Sequence, residues 1–236
     1  MEALYLEDCY MKEFNAYVES VEKGRFVVLD KTAFYPNSGG QPYDTGRIID
    51  EEGNEYKVVY VGKFNGRISH EVDREGLKKG DKVKGVIDWD RRYRLMRYHT
   101  AAHILSEVIH KETGARVTGN QLSLEKGRID FDLKDFNKEK IKEYEKKANE
   151  VIERNLEVKK YFMPKEEAFK NPDLFTLKNV LPPDVNNIRI VEVVGFDISA
   201  CGGTHVDNTS EIKGIEIIKA ENKGRENRRV YFKLKD

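Results

Sequence analysis

Two short stretches, far apart in the chain, carry residues whose types and spacing could do chemistry. His99-Thr100-Ala101-Ala102-His103 sets two histidines four positions apart. On a helix, that spacing stacks two imidazoles on one face, a turn apart. Cys201-Gly202-Gly203-Thr204-His205 repeats the spacing, but its glycines point to a tight loop that folds a thiolate and an imidazole toward a common centre. Nitrogen and sulfur donors, two by two, suit tetrahedral zinc, whereas magnesium and calcium take oxygen. Either pair alone reads equally well as a polar helix face or a buried small thiol. Together they use four of the chain's five histidines and two cysteines, which favours one Zn2+ per chain held by His99, His103, Cys201 and His205.

The remaining members of those residue types read differently. His110 follows His103 by seven residues on the same face, about 10 Å along the axis, too far to share an ion. His70 and Cys9 have no neighbour at metal spacing and read as structural. A His-Glu-x-x-His protease needs glutamate where Thr100 stands, so that chemistry is disfavoured. A zinc finger keeps its ligands close together, whereas Cys201 follows His103 by 98 positions. A site assembled across a whole domain is that of an active or ligand-binding centre.

The elements that must position these groups follow from composition and pattern. At 236 residues the chain has room for one large domain or two small ones, and two are expected, with a boundary at residues 88/89. Lysine and arginine number 42 against 42 acidic residues, so nucleic-acid binding would have to come from local patches. Two cysteines make no disulfide framework. The start lacks a signal-peptide pattern and no apolar run nears about 18 residues, so a soluble cytoplasmic protein without a membrane partner is expected.

Residues 1–88 read as short strands punctuated by turns, at Phe14–Val21, Arg25–Leu29, Gly46–Ile49, Glu55–Val61, Arg67–Val72 and Lys82–Ile87, with Asn65-Gly66 a strong hairpin signal. That pattern predicts a small antiparallel β-barrel. Inside it, Phe34–Gly46 is dense in aromatic, amide and glycine groups. It reads either as a wide loop or as a surface on which Tyr35 or Tyr43 stacks a base while backbone approaches at Gly39 and Gly40, beside Gln41. Gly39-Gly40-Gln41 also resembles the tripeptide with which peptide-release factors promote peptidyl-tRNA hydrolysis.

Residues 89–236 open with a helix expected near 91–112, capped by Asp90 and stopped by Gly114, with Leu95, Ala102, Leu105 and Ile109 as its apolar stripe. Arg91, Arg92, Arg94 and Arg97, with Tyr93 and Tyr98 interleaved, read as a solvated face or as a phosphate-binding approach. Val117–Ser123 is a polar stretch that could line a pocket or be a turn-rich loop. A strand at Arg128–Leu133 comes next, then a helix capped by Asn137 and running from about Lys138 to Arg154. Further strands fall at Val158–Phe162 and Ile188–Val194, with breaks at Pro172, Pro182 and Pro183 between them. A hairpin of Gly214–Ala220 and Arg229–Leu234, turning at Lys223-Gly224-Arg225, closes the chain.

His-Thr-Ala-Ala-His-Ile-Leu at 99–105 with Cys-Gly-Gly-Thr-His-Val at 201–206 resembles the paired zinc signature of the alanyl-tRNA synthetase editing domain. Phe34–Gly46, around Ser38-Gly39-Gly40-Gln41 and Asp44-Thr45-Gly46, is similar to the glycine-rich motif that precedes it. The resemblance covers nearly the whole chain, and no aminoacylation domain with class II motifs is expected ahead of the motifs. The sequence is therefore identified as a member of the freestanding alanyl-tRNA editing family. That implies an α+β architecture in which an N-terminal β-barrel domain, 1–88, precedes an α/β editing domain with a zinc site, 89–236. It implies an aminoacyl-tRNA deacylase that removes serine, and in some members glycine, from tRNA(Ala).

Carried over by position, the resemblance gives the four metal ligands already named. It puts Thr118 near the substrate side chain, with Asn120 and Gln121 close by. Tyr35, Gly39, Gly40 and Gln41, with Arg91 and Arg92 of the arginine run, would bind substrate or tRNA. A monomer is the expectation. Two other readings stay open: a tRNA-binding module with a structural zinc, and a hydrolase of threonyl-site mischarges or peptidyl-tRNA.

Overall fold

A computed structural model describes residues 2–134, 137–171, 174–175, 185–224 and 227–236. Mixed α and β, and mostly sheet, the chain divides into two compact units, Met1–Leu95 and Met96–Asp236.

The first unit holds β1 (Glu2–Ala3), β2 (Glu13–Glu22), β3 (Phe26–Leu29), β4 (Lys31–Thr32), β5 (Gly46–Asp50), β6 (Glu55–Phe64), β7 (Arg67–Val72) and β8 (Lys82–Ile87). Six of these close on themselves in the order β2-β3-β7-β6-β5-β8, every pair antiparallel, while β1 and β4 form a short parallel pair. Closure follows from alternation. In β2, Phe14, Ala16 and Val18 are buried while Glu13, Asn15 and Tyr17 face water. Val27, Leu29, Phe34, Ile48 and Val61 fill the interior. At the β6–β7 turn both Asn65 (φ 49°) and Gly66 (φ 78°) are left-handed, as a two-residue type I′ hairpin requires.

His70 lies in that core, wholly buried, with one ring nitrogen 2.9 Å from Thr32 Oγ1 and the other 2.9 Å from the Val27 carbonyl oxygen. Burial pushes its pKa down to about 4. Below the ordinary value of about 6.5 the unfolded chain therefore binds a proton that the fold refuses. Stability from this group is complete above that pH and falls as pH drops toward 4, by about 3 kcal/mol at pH 4. Urea unfolding at pH 7 and pH 4 should show wild type losing about that much more than His70→Gln. Equal losses would show that another group governs acid sensitivity.

Helix α1 (Trp89–Thr113) starts in the first unit and continues into the second. Its cap is Asp88 rather than Asp90: Asp88 Oδ1 accepts from the Arg91 N–H at 3.3 Å, and Thr45 Oγ1 donates to Asp88 Oδ2 at 3.0 Å. Asp90 sits in the first turn, where a negative charge favours the helix dipole. Gly114, at φ 72°, ends the helix and donates to the His110 carbonyl at 2.7 Å.

The second unit adds β9 (Val117–Leu122), β10 (Gly127–Phe131), α2 (Lys138–Glu153), β11 (Val158–Pro164), α3 (Lys165–Ala168), β12 (Asn187–Val193), β13 (Asp197–Ala200), β14 (Ile215–Gly224) and β15 (Asn227–Leu234). They form two antiparallel sheets, β14-β15-β10-β9 and β11-β12-β13. Asn137 caps α2, its Oδ1 accepting from the Lys140 N–H at 2.9 Å. Pro172, Pro182, Pro183 and Arg225 lie outside the described residues. The Tyr98 ring of α1 packs 5.8 Å from Phe232, so the helix covers the face of the larger sheet to which Phe232 belongs.

Candidate metal centre

Helix α1 delivers His99 and His103, whose rings sit 5.3 Å apart on one face. The chain that leaves β13 delivers Cys201 and His205. His205 is wholly buried, His99 nearly so, and the other two are partly exposed. Cys201 Sγ lies 3.3 Å from His205 Nε2 and 3.6 Å from His99 Nε2, and all four donor atoms fall within 4.8 Å of one another. A tetrahedral ion with bonds of about 2.0–2.3 Å sets its ligand atoms roughly 3.3–3.7 Å apart. The group could hold a metal ion, and three imidazoles with one thiol suit nitrogen- and sulfur-seeking cations better than oxygen-seeking ones.

The outer nitrogens are anchored. His205 Nδ1 lies 3.1 Å from Thr100 Oγ1, which itself donates to the Met96 carbonyl; donation from Nδ1–H leaves Nε2 as the free electron pair. His103 Nδ1 lies 3.2 Å from Asp197 Oδ2, and Ser199 Oγ donates to the same carboxylate. Burial pushes His205 well below its ordinary pKa, with His99 acting in the same direction, so it is neutral. Burial would raise the Cys201 thiol, but the His99 imidazole, with the hydrogen bonds from His103 and His205, outweighs it and holds the pKa well below its usual value. Burial opposes the charge on His103, yet its hydrogen bonds to Asp197 and Cys201 push its pKa up to about 10. Ion binding at His103 therefore releases a proton.

Sequence reasoning missed both anchoring residues. Thr100 lies inside the helix motif, where it served only to rule out a protease. Asp197 sits on β13, a short strand that the pattern did not disclose, four residues before Cys201. Residues 201–206 form a loop that brings Cys201 to His205, as the glycines imply, although neither Gly202 nor Gly203 has positive φ.

The polar stretch is strand rather than loop. Gly119 pairs with Asp130 and Val117 with Phe131, which leaves Thr118 as the extra, exposed residue of a β-bulge. Asn120 pairs with Ile129 and Gln121 with Arg128. Successive side chains alternate between faces, and Ile129 lies on the Phe232 face. Asn120 therefore points to the side covered by α1 and Gln121 to the opposite side, so the two cannot line one pocket.

The glycine-rich residues belong to the first unit. Ser38 and Gln41 exchange backbone hydrogen bonds at 3.2 and 2.9 Å around Gly39 (φ 56°) and Gly40 (φ 82°), a tight turn that both glycines permit. Its tip, Asn37–Gly39, is exposed, whereas Gln41 and Tyr35 are buried. The Tyr35 ring packs edge-on against Tyr5 at 5.2 Å and its hydroxyl donates to the Ser38 carbonyl, so it braces the turn from inside instead of offering a face to a base.

Arg92 departs furthest from expectation. It is wholly buried, donates through Nε to both Asp44 oxygens at 3.0 and 2.9 Å, and reaches the carbonyls of Cys9 and Ala33. A guanidinium spent in this way has no phosphate to meet. Arg97 is internal too, donating to the Ile212 and Lys235 carbonyls. Arg91 remains half-buried at the surface, its guanidinium 5.3 Å from the Tyr43 ring and Nε donating to the Tyr43 carbonyl.

Comparison with known proteins covers the first unit's glycine-rich stretch and the Cys201–His205 stretch by family profile, and the whole chain by its relatives. A family profile described as "tRNA synthetases class II (A)" matches residues 2–91, and one described as "Threonyl and Alanyl tRNA synthetase second additional domain" matches residues 188–231. The alanyl-tRNA editing protein AlaX-M of Methanosarcina mazei is 56% identical, covering 100% of this chain and 97% of its own. AlaX-M of Saccharolobus solfataricus is 46% identical, with 99% of each chain covered. An alanine–tRNA ligase of Sulfurisphaera tokodaii is 41% identical over 92% of this chain but only 24% of the ligase. With such identity sustained from end to end, the chain belongs to the family of alanyl-tRNA editing proteins.

Proposed function

We propose that the chain is an aminoacyl-tRNA hydrolase that removes serine from mischarged tRNA(Ala), using one zinc ion held by His99, His103, Cys201 and His205. The observation that carries this reading is the convergence of three imidazoles and one thiol on one point in a member of the editing family. Bound there, zinc would supply positive charge to polarise or orient the ester carbonyl.

The chain's own residues do the rest. Thr100 and Asp197 fix the imidazoles so that their free electron pairs face inward. An aminoacyl ester is already activated, so holding a water in line suffices and no Ser-His-Asp triad is required. Thr118, turned out by its bulge, is assigned to read the serine hydroxyl, with Asn120 as the second candidate on the helix-covered side. A pocket that hydrogen-bonds this hydroxyl leaves its own polar group unpaired against alanine, a penalty of up to about 10⁴-fold. Glycine lacks the hydroxyl as alanine does, so this reader does not itself select it. The first unit, with the exposed tip at Gly39 and Arg91, is assigned to the tRNA acceptor end, and the second is the deacylase domain. No helix among the described residues is long and apolar enough to cross a membrane.

The test is deacylation of seryl- and alanyl-tRNA(Ala) by zinc-loaded protein. Serine should be lost rapidly and alanine spared, and Thr118→Val should narrow that ratio by at least about tenfold. Unchanged selectivity would remove Thr118 from the role. Failure to hydrolyse either ester would sink the enzyme reading and leave a tRNA-binding module.

A further inference from the structure

We infer that Arg189 is a positioning residue of the metal centre, a clamp that shapes the Cys201–His205 loop. The inference rests on the metal reading above. Arg189 lies on β12 and is 6% exposed. The β12–β13 ladder has its last pair at Ile190 and Ala200, and one more bond, from the Cys201 N–H to the Arg189 carbonyl at 3.1 Å, prolongs it. Beyond that point the loop leaves the sheet and its carbonyls lose their ladder partners. Arg189 Nη1 takes two of them, donating to Cys201 O at 2.8 Å and Gly203 O at 2.9 Å. One nitrogen carries two N–H groups, and two carbonyls two residues apart are thereby drawn to a single point.

That geometry sets the ligand spacing. No residue from Gly202 to Gly203 is left-handed, so the curvature of the loop is not fixed by a special backbone conformation. It is held from outside by the guanidinium and from inside by the Gly203 N–H, which donates to Cys201 Sγ at 3.4 Å. The thiol and the His205 imidazole consequently face each other at 3.3 Å. A loop ordered in advance does not charge its ordering to the binding step, so affinity for the ion rises. Lysine would keep the charge at position 189 but not the planar fork, because its ammonium is a single point on a flexible stem.

The experiment compares wild type with Arg189→Lys and Arg189→Gln, each as apoprotein and zinc-loaded. Zinc affinity is read by competition with a chromophoric chelator, Tm is read in both states, and the absorption of the cobalt-substituted protein reports ligand geometry. A positioning role predicts that Arg189→Gln binds zinc 10- to 100-fold more weakly. It also predicts a smaller zinc-induced rise in Tm and an altered cobalt spectrum, with partial recovery in Arg189→Lys. A purely structural role predicts equal losses of Tm with and without zinc and unchanged affinity, which would overturn the inference.

Should both variants fail to fold, hydrogen exchange at the Arg189 guanidinium in wild-type apoprotein decides the matter. Protected Nη protons support the clamp, and free exchange overturns it. Wild type that takes up no zinc at all would instead bring down the metal reading, and this inference with it.

Discussion

His205→Ala is expected to lower hydrolysis of seryl-tRNA(Ala) about 10³-fold while leaving the chain folded. His205 is the most deeply held donor of the group, wholly buried with its outer nitrogen on Thr100. Losing it opens the donor set on the side where the thiol stands closest. A metal that polarises an ester is worth several kcal/mol of transition-state stabilisation, and 4 kcal/mol corresponds to roughly 10³-fold in rate. Chelation of the wild-type protein should produce the same loss, reversed by added zinc but not by magnesium. The measurements are single-turnover deacylation, metal content by mass spectrometry, and circular dichroism to confirm the fold. Full activity in metal-free protein would disprove the assignment.

Breaking the Arg92–Asp44 pair is expected to cost about 3–5 kcal/mol in either direction, through Arg92→Met or Asp44→Asn. Both side chains are wholly inaccessible to water, so removing one partner strands the other's charge. Asp44 also accepts from the Tyr35 backbone N–H at 2.6 Å, tying the ion pair to the turn at Gly39-Gly40. The double variant should be less destabilised than the sum of the two single changes, because no stranded charge remains. Urea unfolding reads these costs. If Arg92 bound tRNA phosphate, Arg92→Met would weaken substrate binding without loss of stability, and that outcome would reinstate the expected role.

What was legible in the sequence, and what was not, follows from the range of the forces involved. The six strands that close on themselves in the first unit stand in the sequence because turn residues such as Asn65-Gly66 are local and because alternation in Phe14, Ala16 and Val18 declares a buried face. Asn137 likewise caps α2 through a contact three residues long. Strand β9 was hidden because Gly119 and Asn120 in its middle are poor strand formers, and pairing with β10 overrides that preference. Once it is a strand, alternation separates Asn120 from Gln121, a consequence invisible to any reading that left it a loop. The arginine run misled for another reason. The partner of Arg92 is 48 positions away in the sequence, and Arg97 finds its carbonyls in the last part of the chain. A charge run looks solvated until its distant partners are known. The metal ligands were legible because their chemistry depends on spacing within each pair, while Thr100, Asp197 and Arg189 act through folded contacts that spacing does not encode.

The four donors can also be regarded as a removable staple. His103 and Cys201 are 98 positions apart, and an ion that joins them ties a loop of that length. A cross-link closing a loop of about 100 residues takes on the order of 4–5 kcal/mol of chain entropy from the unfolded ensemble. Metal supply would then govern how long the second unit survives proteases as well as how fast it turns over. Chain depleted of its ion would be cleared in proportion to the time it spends unstapled.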